Sequence, residues 1–444
     1  MDYVVYIQLV VVLAAIFIGA KVGGIGLGIF GMMGMAVLVF VFDLPPGSAP
    51  IDVMLMIVAV ITAASALQAA GGLDYLVKVA EKILRKNPGA ITFLGPIVCY
   101  IFTFLAGTGH IAYSLLPIIS EIATESKVRP ERPMSISVIA SQQAITASPI
   151  SAATAALLST ELLGSRGVEM IDILMVCVPA TIIGVIVGAI AVNFVGLDLE
   201  KDPIYQERLK KGFIKPKSLK DNVQSPEERR KALIAVVLFI TGVIAVVLFG
   251  SISSLRPTFE IDGEIVQVTM PQIIEILMMT TAGLIFIFSK ADVNKAVKGS
   301  IFLAGMQAVI AIFGIAWMGD TFFNGNIGFF KENIQNIVTA YPFLFALALF
   351  VMSILLFSQA ATVRTLYPLG LALGISPMAL VAMFPAVNGY FFLPNYPTVV
   401  AAINFDRTGT TRIGKYVINH SFQIPGFVST IVAIGVGYLL IQII

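Results

Sequence analysis

The chain of 444 residues is 58% hydrophobic and only 12% charged, with a formal net charge of +2 and a mean hydropathy of +0.94. That leaves too little polar surface for a soluble globule and implies an all-α polytopic protein whose first partner is the lipid bilayer. The small net charge gives no reason to expect nucleic acid. Cys99 and Cys177 both sit in apolar runs and are expected as small buried hydrophobes rather than a disulfide or zinc site, so no metal or cofactor is expected.

Residues 3–20 and 22–42 read as the first two spans, joined at Lys21 and a run containing Gly23, Gly24, Gly26 and Gly28. With no strand before them, these glycines point to close helix packing rather than to a phosphate loop. The first run has no basic leader or clear cleavage site, so no signal peptide is expected. Residues 51–69 form the third span, and Leu73 to Lys86 reads as an amphipathic helix on the cytoplasmic surface carrying Lys78, Lys82, Arg85 and Lys86. Residues 88–123 are too long for one span and too short for two, since a span needs roughly 17–25 residues. With Ala106-Gly-Thr-Gly-His110 at the middle and basic residues on both flanks, they read as a re-entrant hairpin. Residues 134–160 form a span broken at Ser141-Gln-Gln-Ala-Ile-Thr-Ala-Ser-Pro-Ile-Ser151, where Pro149 removes a backbone donor. Such a break is tolerated in a bilayer only under cover of protein or water. Residues 170–195 close the first half.

Residues 196–230 read as a solvated, basic cytoplasmic linker. The second half then repeats the order of the first: spans at 231–250, 270–289 and 298–318, and a hairpin at 341–374 with its tip at Ser358-Gln-Ala-Ala-Thr362. A second broken span at 377–405 contains Pro394, and a last span runs from 415 to 440. Five full crossings per half, an odd number, require residues 231–444 to be inverted relative to 1–195. Of the 28 Lys and Arg, all but Arg166, Arg256, Lys331 and Arg364 fall in segments this arrangement places in the cytoplasm, which puts both termini outside. Two interrupted segments at matching places in two halves point to a transporter site between them.

Arg364 lies about one turn past the second tip. A buried arginine costs about 2.5–3.5 kcal/mol on insertion scales, so it is expected to face a polar cavity and grip a carboxylate with two hydrogen bonds; the alternatives are pairing with backbone carbonyls at the hairpin, or a hairpin displaced by one turn. The tips and breaks offer half-helix N-termini, which suit an anion. Thr108, Gly109, Ser148, Ser151, Ser358, Gln359, Thr362, Asn388 and Thr398, with the prolines Pro149 and Pro394 at the breaks, complete the expected substrate site. His110 could bind an anion when protonated or relay a proton, or hold a structural hydrogen bond. His420 reads as a packing residue, Asp74, Asp406 and Arg407 as caps or surface pairs at cytoplasmic helix ends, and Trp317 as membrane-facing or core packing. No carboxylate pair, nucleophile–base set or phosphate loop suggests an enzyme.

Together, Gly71-Gly-Leu-Asp-Tyr75, Gly107-Thr-Gly-His110, Arg129-Pro-Glu-Arg-Pro133, Ala147-Ser-Pro-Ile-Ser151, Ser358-Gln-Ala-Ala361, Leu393-Pro-Asn-Tyr-Pro397 and Phe405-Asp-Arg-Thr-Gly-Thr-Thr411 resemble the anaerobic C4-dicarboxylate transporter (Dcu) family along essentially the whole chain. Thr146-Ala-Ser-Pro-Ile-Ser-Ala152 and Lys201-Asp-Pro-Ile-Tyr205 are most similar to its DcuA-type branch. The resemblance implies a bacterial inner-membrane carrier that takes up or exchanges fumarate, malate, succinate and aspartate, with protons as coupling ions and sodium as the alternative. Similarity to the wider ion transporter superfamily implies an elevator mechanism within a homodimer. A sodium/proton antiporter or another small-anion carrier of that superfamily is the competing expectation, although no Asp or Glu occurs at 88–120 or 341–405.

Overall fold

The computed structural model describes residues 2–214, 225–261, 263–333, 340–341, 343–356, 358–394, 396–414 and 419–443. Lys215, Lys217 and Lys220 of the expected linker, the start of the last span at 415–418, position 357 beside the second tip and Asn395 in the second break lie outside these residues.

Among the described residues, seven helices are long and apolar enough to cross a membrane, and four shorter apolar helices accompany them. Their outward faces carry bare aliphatic and aromatic side chains, such as Tyr6, Val10 and Phe17 on Asp2–Val22 and Val237, Ile244 and Leu248 on Pro226–Ser251. Lipid-facing helices need no polar cover, because each satisfies its own backbone.

Asp2–Val22 packs on Gly26–Phe40, and Pro226–Ser251 packs in the same way on Met270–Ser289. The two pairs reach across to each other's third helix: Gly26–Phe40 lies along Ser300–Gly325, and Met270–Ser289 along Ile51–Ala69. Small residues make the first contact possible. A Cβ built on Gly314 would stand 1.8 Å from the Gly28 carbonyl oxygen, so the two backbones touch, as apolar helices do when no hydrophobic force draws them together.

The amphipathic segment is the helix Gly72–Lys86, with Ala80 and Leu84 buried beneath it. Arg85 ties it to the first hairpin through Glu121 at 2.7 Å and Glu125 at 3.2 Å. That hairpin consists of Ile91–Ala106 and Ala112–Glu125, and the first broken helix of Glu131–Ala147 and Ala152–Leu157. The second hairpin is Phe343–Leu356 followed by Gln359–Ala372. In the second broken helix Pro377–Met383 passes into a 3₁₀ stretch, Phe384–Phe391, before Pro397–Phe405 resumes. Met170–Val192 and Gln423–Leu440 cross with the Gly184 position only 2.4 Å, measured to an added Cβ, from the Ser429 carbonyl.

Three features depart from expectation. Pro88–Ala106, which contains the first arm of the expected re-entrant hairpin, is itself among the helices long and apolar enough to cross a membrane. A two-stranded antiparallel ribbon, Thr258–Ile261 with Glu264–Gln267, precedes Met270; its signal in the sequence is the pair Asp262-Gly263 between alternating residues. The linker is also not solvated throughout. Leu199 and Asp202 are buried, because the Asp202 carboxylate caps the short helix Pro203–Lys210 and meets Arg129 at 2.6 Å.

Candidate functional site

The first tip forms where Gly107 takes a left-handed conformation (φ 66°) and closes Ile91–Ala106. Thr108 then extends, and its hydroxyl accepts a long hydrogen bond from the His110 amide at 3.4 Å. A side chain at Gly107 would come within 2.8 Å of the Ile150 carbonyl, so the tip rests directly on the first break. The break is fastened there too: Ser148 Oγ donates to the Phe104 carbonyl at 2.7 Å. Beyond Pro149, Ser151 caps Ala152–Leu157 by accepting from the Thr154 amide at 3.1 Å. Ser148 and Ser151 are fully buried and spend their hydroxyls on protein, Ser148 on the hairpin arm and Ser151 on the restart of the helix.

At the second tip Ser358 caps Gln359–Ala372 by accepting from the Ala361 amide at 3.2 Å, and Thr362 Oγ1 donates back to the Ser358 carbonyl at 2.8 Å. Gln359 projects into a chain of carboxamides. Its Nε2 lies 3.3 Å from Gln142 Oε1, 3.2 Å from Asn388 Oδ1 and 3.2 Å from the Tyr390 hydroxyl, three acceptors for two hydrogens. Asn388 donates to Gln143 Oε1 at 3.2 Å, Gln143 donates to Thr430 at 3.0 Å, and Gln142 donates to Thr398 at 3.2 Å. The network exists because Glu131–Ala147 is buried at every position except Arg132, and buried polar side chains must find partners.

These elements enclose a cavity of about 610 Å³. From the expected site, Thr108, Gly109, His110, Ser358, Gln359 and Thr398 line it; Gln142, Tyr113 and Tyr396 join them, with Lys21, Ile57, Val60, Gly305 and Gln307 on the facing wall. Ser148, Pro149, Ser151, Thr362, Asn388 and Pro394 are buried behind the wall and shape it. The N-terminal ends of Gln359–Ala372 and Pro397–Phe405 both border the cavity, where their helix dipoles bring partial positive charge. Among the described residues, Lys21 is the one Lys or Arg in the lining and no Asp or Glu lines it. The His110 ring stacks on Tyr113 with centroids 5.9 Å apart. Tyr113 also lines a second, larger space whose walls carry Lys78, Lys82, Arg229, Lys231, Lys290 and Lys295 beside Asp74, Glu81, Glu228 and Asp292.

Arg364 is placed differently from the expectation of a guanidinium facing this cavity. It is buried at 4% exposure but belongs to another cluster. It pairs with Glu161, and its Nη1 donates to Ser159 Oγ at 3.3 Å. Asp320, one element further, accepts from the Ser48 amide at 2.8 Å. Pairing is the cheaper solution for a buried guanidinium, and Glu161 supplies it from just beyond the first broken helix, outside residues 88–120 and 341–405.

Residues 4–444 match the family described as anaerobic C4-dicarboxylate membrane transporter. The chain belongs to that family. It is 44% identical to the C4-dicarboxylate transporter DcuA of Wolinella succinogenes, over 98% of this chain and 99% of the relative. It is 43% identical to DcuA of Escherichia coli K12, with 98% of each covered, and 39% identical to the anaerobic C4-dicarboxylate transporter DcuB of Escherichia coli O6:H1, over 98% and 97%. Among solved structures, MtrF of Neisseria gonorrhoeae, described within a class of antimetabolite efflux pumps, shares the fold at a TM-score of 0.55 and 13% identity, over 91% of this chain and 84% of that one.

In this family member three of the quoted motifs meet away from the cavity. Arg129 contacts Glu131 and Asp202 at 2.6 Å each, Glu131 accepts from Ser421 at 2.6 Å, and the Glu131 amide donates to Thr410 at 3.1 Å. Asp406, read from sequence as a cap or surface pair, is buried at 2% exposure and accepts from the Thr408 and Thr411 amides at 2.8 and 2.6 Å and from Thr410 Oγ1 at 2.9 Å. Burial would raise the pKa of Asp202, but the Arg129 guanidinium and the Tyr205 and Ile204 amides hold it below the usual carboxylate range. His420 is fixed at the same end: one ring nitrogen lies 3.1 Å from the Phe392 carbonyl and the other accepts from the Phe422 amide at 3.2 Å. Gln142, in the first broken span, was not among the expected site residues; its signal in the sequence is an uncharged polar side chain inside a membrane span.

Proposed function

We propose that this family member is a secondary carrier of C4-dicarboxylates (fumarate, succinate, malate and aspartate), working by uptake or exchange and coupled to protons. The observation that carries the reading is the cavity where both hairpin tips and the second break converge, with helix N-termini, carboxamides and hydroxyls around it and no lining carboxylate among the described residues. A dianion would be met by neutral donors and helix ends. The volume falls in the usual range for small-molecule sites, roughly 300–1,000 Å³.

In this proposal residues 1–195 and 231–444 are inverted repeats joined by 196–230. The hairpins and broken helices move as one body against the other spans, in elevator fashion, within a homodimer. Reciprocal packing of the first two helices of each half on the third of the other supports the repeat. The basic residues around the second, larger space beside Tyr113 support a cytoplasmic position for that side, with both termini periplasmic in a bacterial inner membrane. Arg364 is proposed to meet a substrate carboxylate when the opposite side opens and Glu161 gives way.

The test is counterflow in proteoliposomes loaded with fumarate, following labelled aspartate and succinate with and without a pH or sodium gradient. Accumulation that responds to the pH gradient supports the reading; sealed, loaded liposomes that exchange no four-carbon acid refute it. One observation favours a second reading: Asp320 and Glu161 flank Arg364, and a carboxylate inside a span is where a sodium/proton antiporter would bind its ion. Sodium-driven proton flux without any dicarboxylate would select that alternative.

A further inference from the structure

Gln142 and Gln143 are neighbours in one helix and have different fates. Gln143 faces away from the cavity and is held from both ends of its carboxamide, by Thr430 at 3.0 Å and by Asn388 at 3.2 Å. Gln142 is 2% exposed and lines the cavity. Its carboxamide touches three elements at once: it donates to Thr398 of the second break at 3.2 Å, accepts from Gln359 of the second tip at 3.3 Å, and crowds Gly109 of the first tip, where an added Cβ would stand 3.0 Å from Nε2. One hydrogen bond is at the long end of the normal range and the other just past it, and both join neutral partners. A carboxylate arriving between the tips offers the same N–H group a charge-assisted bond, roughly twice as strong.

We infer that Gln142 is a specificity-determining residue of the carrier, its carboxamide turning from Thr398 and Gln359 to one end of the dicarboxylate. This inference rests on the carrier reading. A carboxamide both donates and accepts. Its N–H can therefore meet the carboxylate of an unsubstituted acid, and its carbonyl can meet the ammonium of an amino-dicarboxylate beside it. One residue thus accommodates fumarate and aspartate, which a lysine or a glutamate in its place would not. Gly109 leaves room for the carboxamide, since a side chain there would press on its Nε2.

The experiment uses the full chain reconstituted in proteoliposomes, with exchange of labelled fumarate and labelled aspartate measured side by side. Gln142→Glu places a carboxylate of nearly the same shape at the site. The half-saturation concentration for fumarate is expected to rise about tenfold or more, the worth of one hydrogen bond to a charged group. Aspartate, whose ammonium pairs with the new charge, is expected to lose less, so the preference moves toward aspartate. Gln142→Met keeps the volume without polar atoms and is expected to weaken fumarate by about tenfold and aspartate by more, because aspartate loses the carbonyl contact to its ammonium as well as the N–H. It decides the matter if the glutamate variant does not fold. Wild-type half-saturation values in either folded, reconstituted variant, or a glutamate variant that weakens fumarate and aspartate equally, overturn the inference while leaving the carrier intact. Wild-type liposomes that exchange neither acid remove the carrier reading itself.

Discussion

Removing Glu161 should cost more stability than removing the arginine it pairs with. Arg364 is 4% exposed on its side chain and Glu161 is 43% exposed. Glu161→Ala therefore strands a buried cation, whereas Arg364→Met strands a carboxylate that water can reach. Breaking a buried pair costs about 3–5 kcal/mol. Half of this pair is wet and Asp320 stands nearby, so Glu161→Ala is expected near the lower limit, about 3 kcal/mol. Arg364→Met should cost about 1 kcal/mol or less, the scale of an exposed ion pair, since Asp320 keeps its bond from the Ser48 amide, and the double variant should recover most of the loss, since no unpaired cation remains buried. Thermal unfolding of the four purified proteins in one detergent ranks them directly. Equal losses in the two single variants, or additive losses in the double one, would refute the reasoning. Transport separates stability from function: Arg364→Met should reach the membrane folded yet abolish fumarate exchange, and normal uptake by it would remove Arg364 from the proposed site.

Asp202 titrates in the fold below its unfolded value of about 3.9, so it adds stability above that pH and loses it as pH falls toward the folded pKa. Unfolding temperature followed from pH 6 downward should drop more steeply below about pH 4 in wild type than in Asp202→Asn, and parallel curves would show that the Arg129 contact contributes nothing. Gly314→Ala drives a methyl group into the Gly28 carbonyl and should lower stability by about 1–3 kcal/mol or more, seen as poor yield and a reduced unfolding temperature; an unchanged protein would mean that the two helices do not touch. Ser148→Ala removes the hydroxyl held by the Phe104 carbonyl and is expected to cost about 1 kcal/mol without changing the fumarate-to-aspartate preference. A shifted preference would place Ser148 in contact with substrate.

Sequence reading located the breaks well because their causes are local. Pro149 cannot donate to the helix ladder, Gly107 closes a helix in a left-handed turn, and Ser358 and Ser151 carry the side chains that cap a restart. It also read Gly28 as a packing glycine, since small residues in an apolar helix have few other uses. It did not supply the partners of Arg364 and Asp406: Arg364 pairs with Glu161, and Asp406 caps a helix end as expected but from a buried position. For each, the burial cost was evident from residue type, but the partner that answers it lies far along the chain or in a loop that only folding brings round.

Hydropathy and charge placement determine that this chain is a polytopic helical membrane protein, because transfer to lipid and helix breaking depend on residues close together in sequence. Only the tertiary structure decides which polar groups face a ligand. Gln142 and Gln143 are adjacent and chemically identical, yet one lines the cavity and the other is locked behind it. Ser148 and Ser358 both mark interruptions, yet only Ser358 reaches the cavity. The reason is that a buried polar side chain takes whichever partner packing delivers, and those partners are set by contacts between helices more than two hundred residues apart.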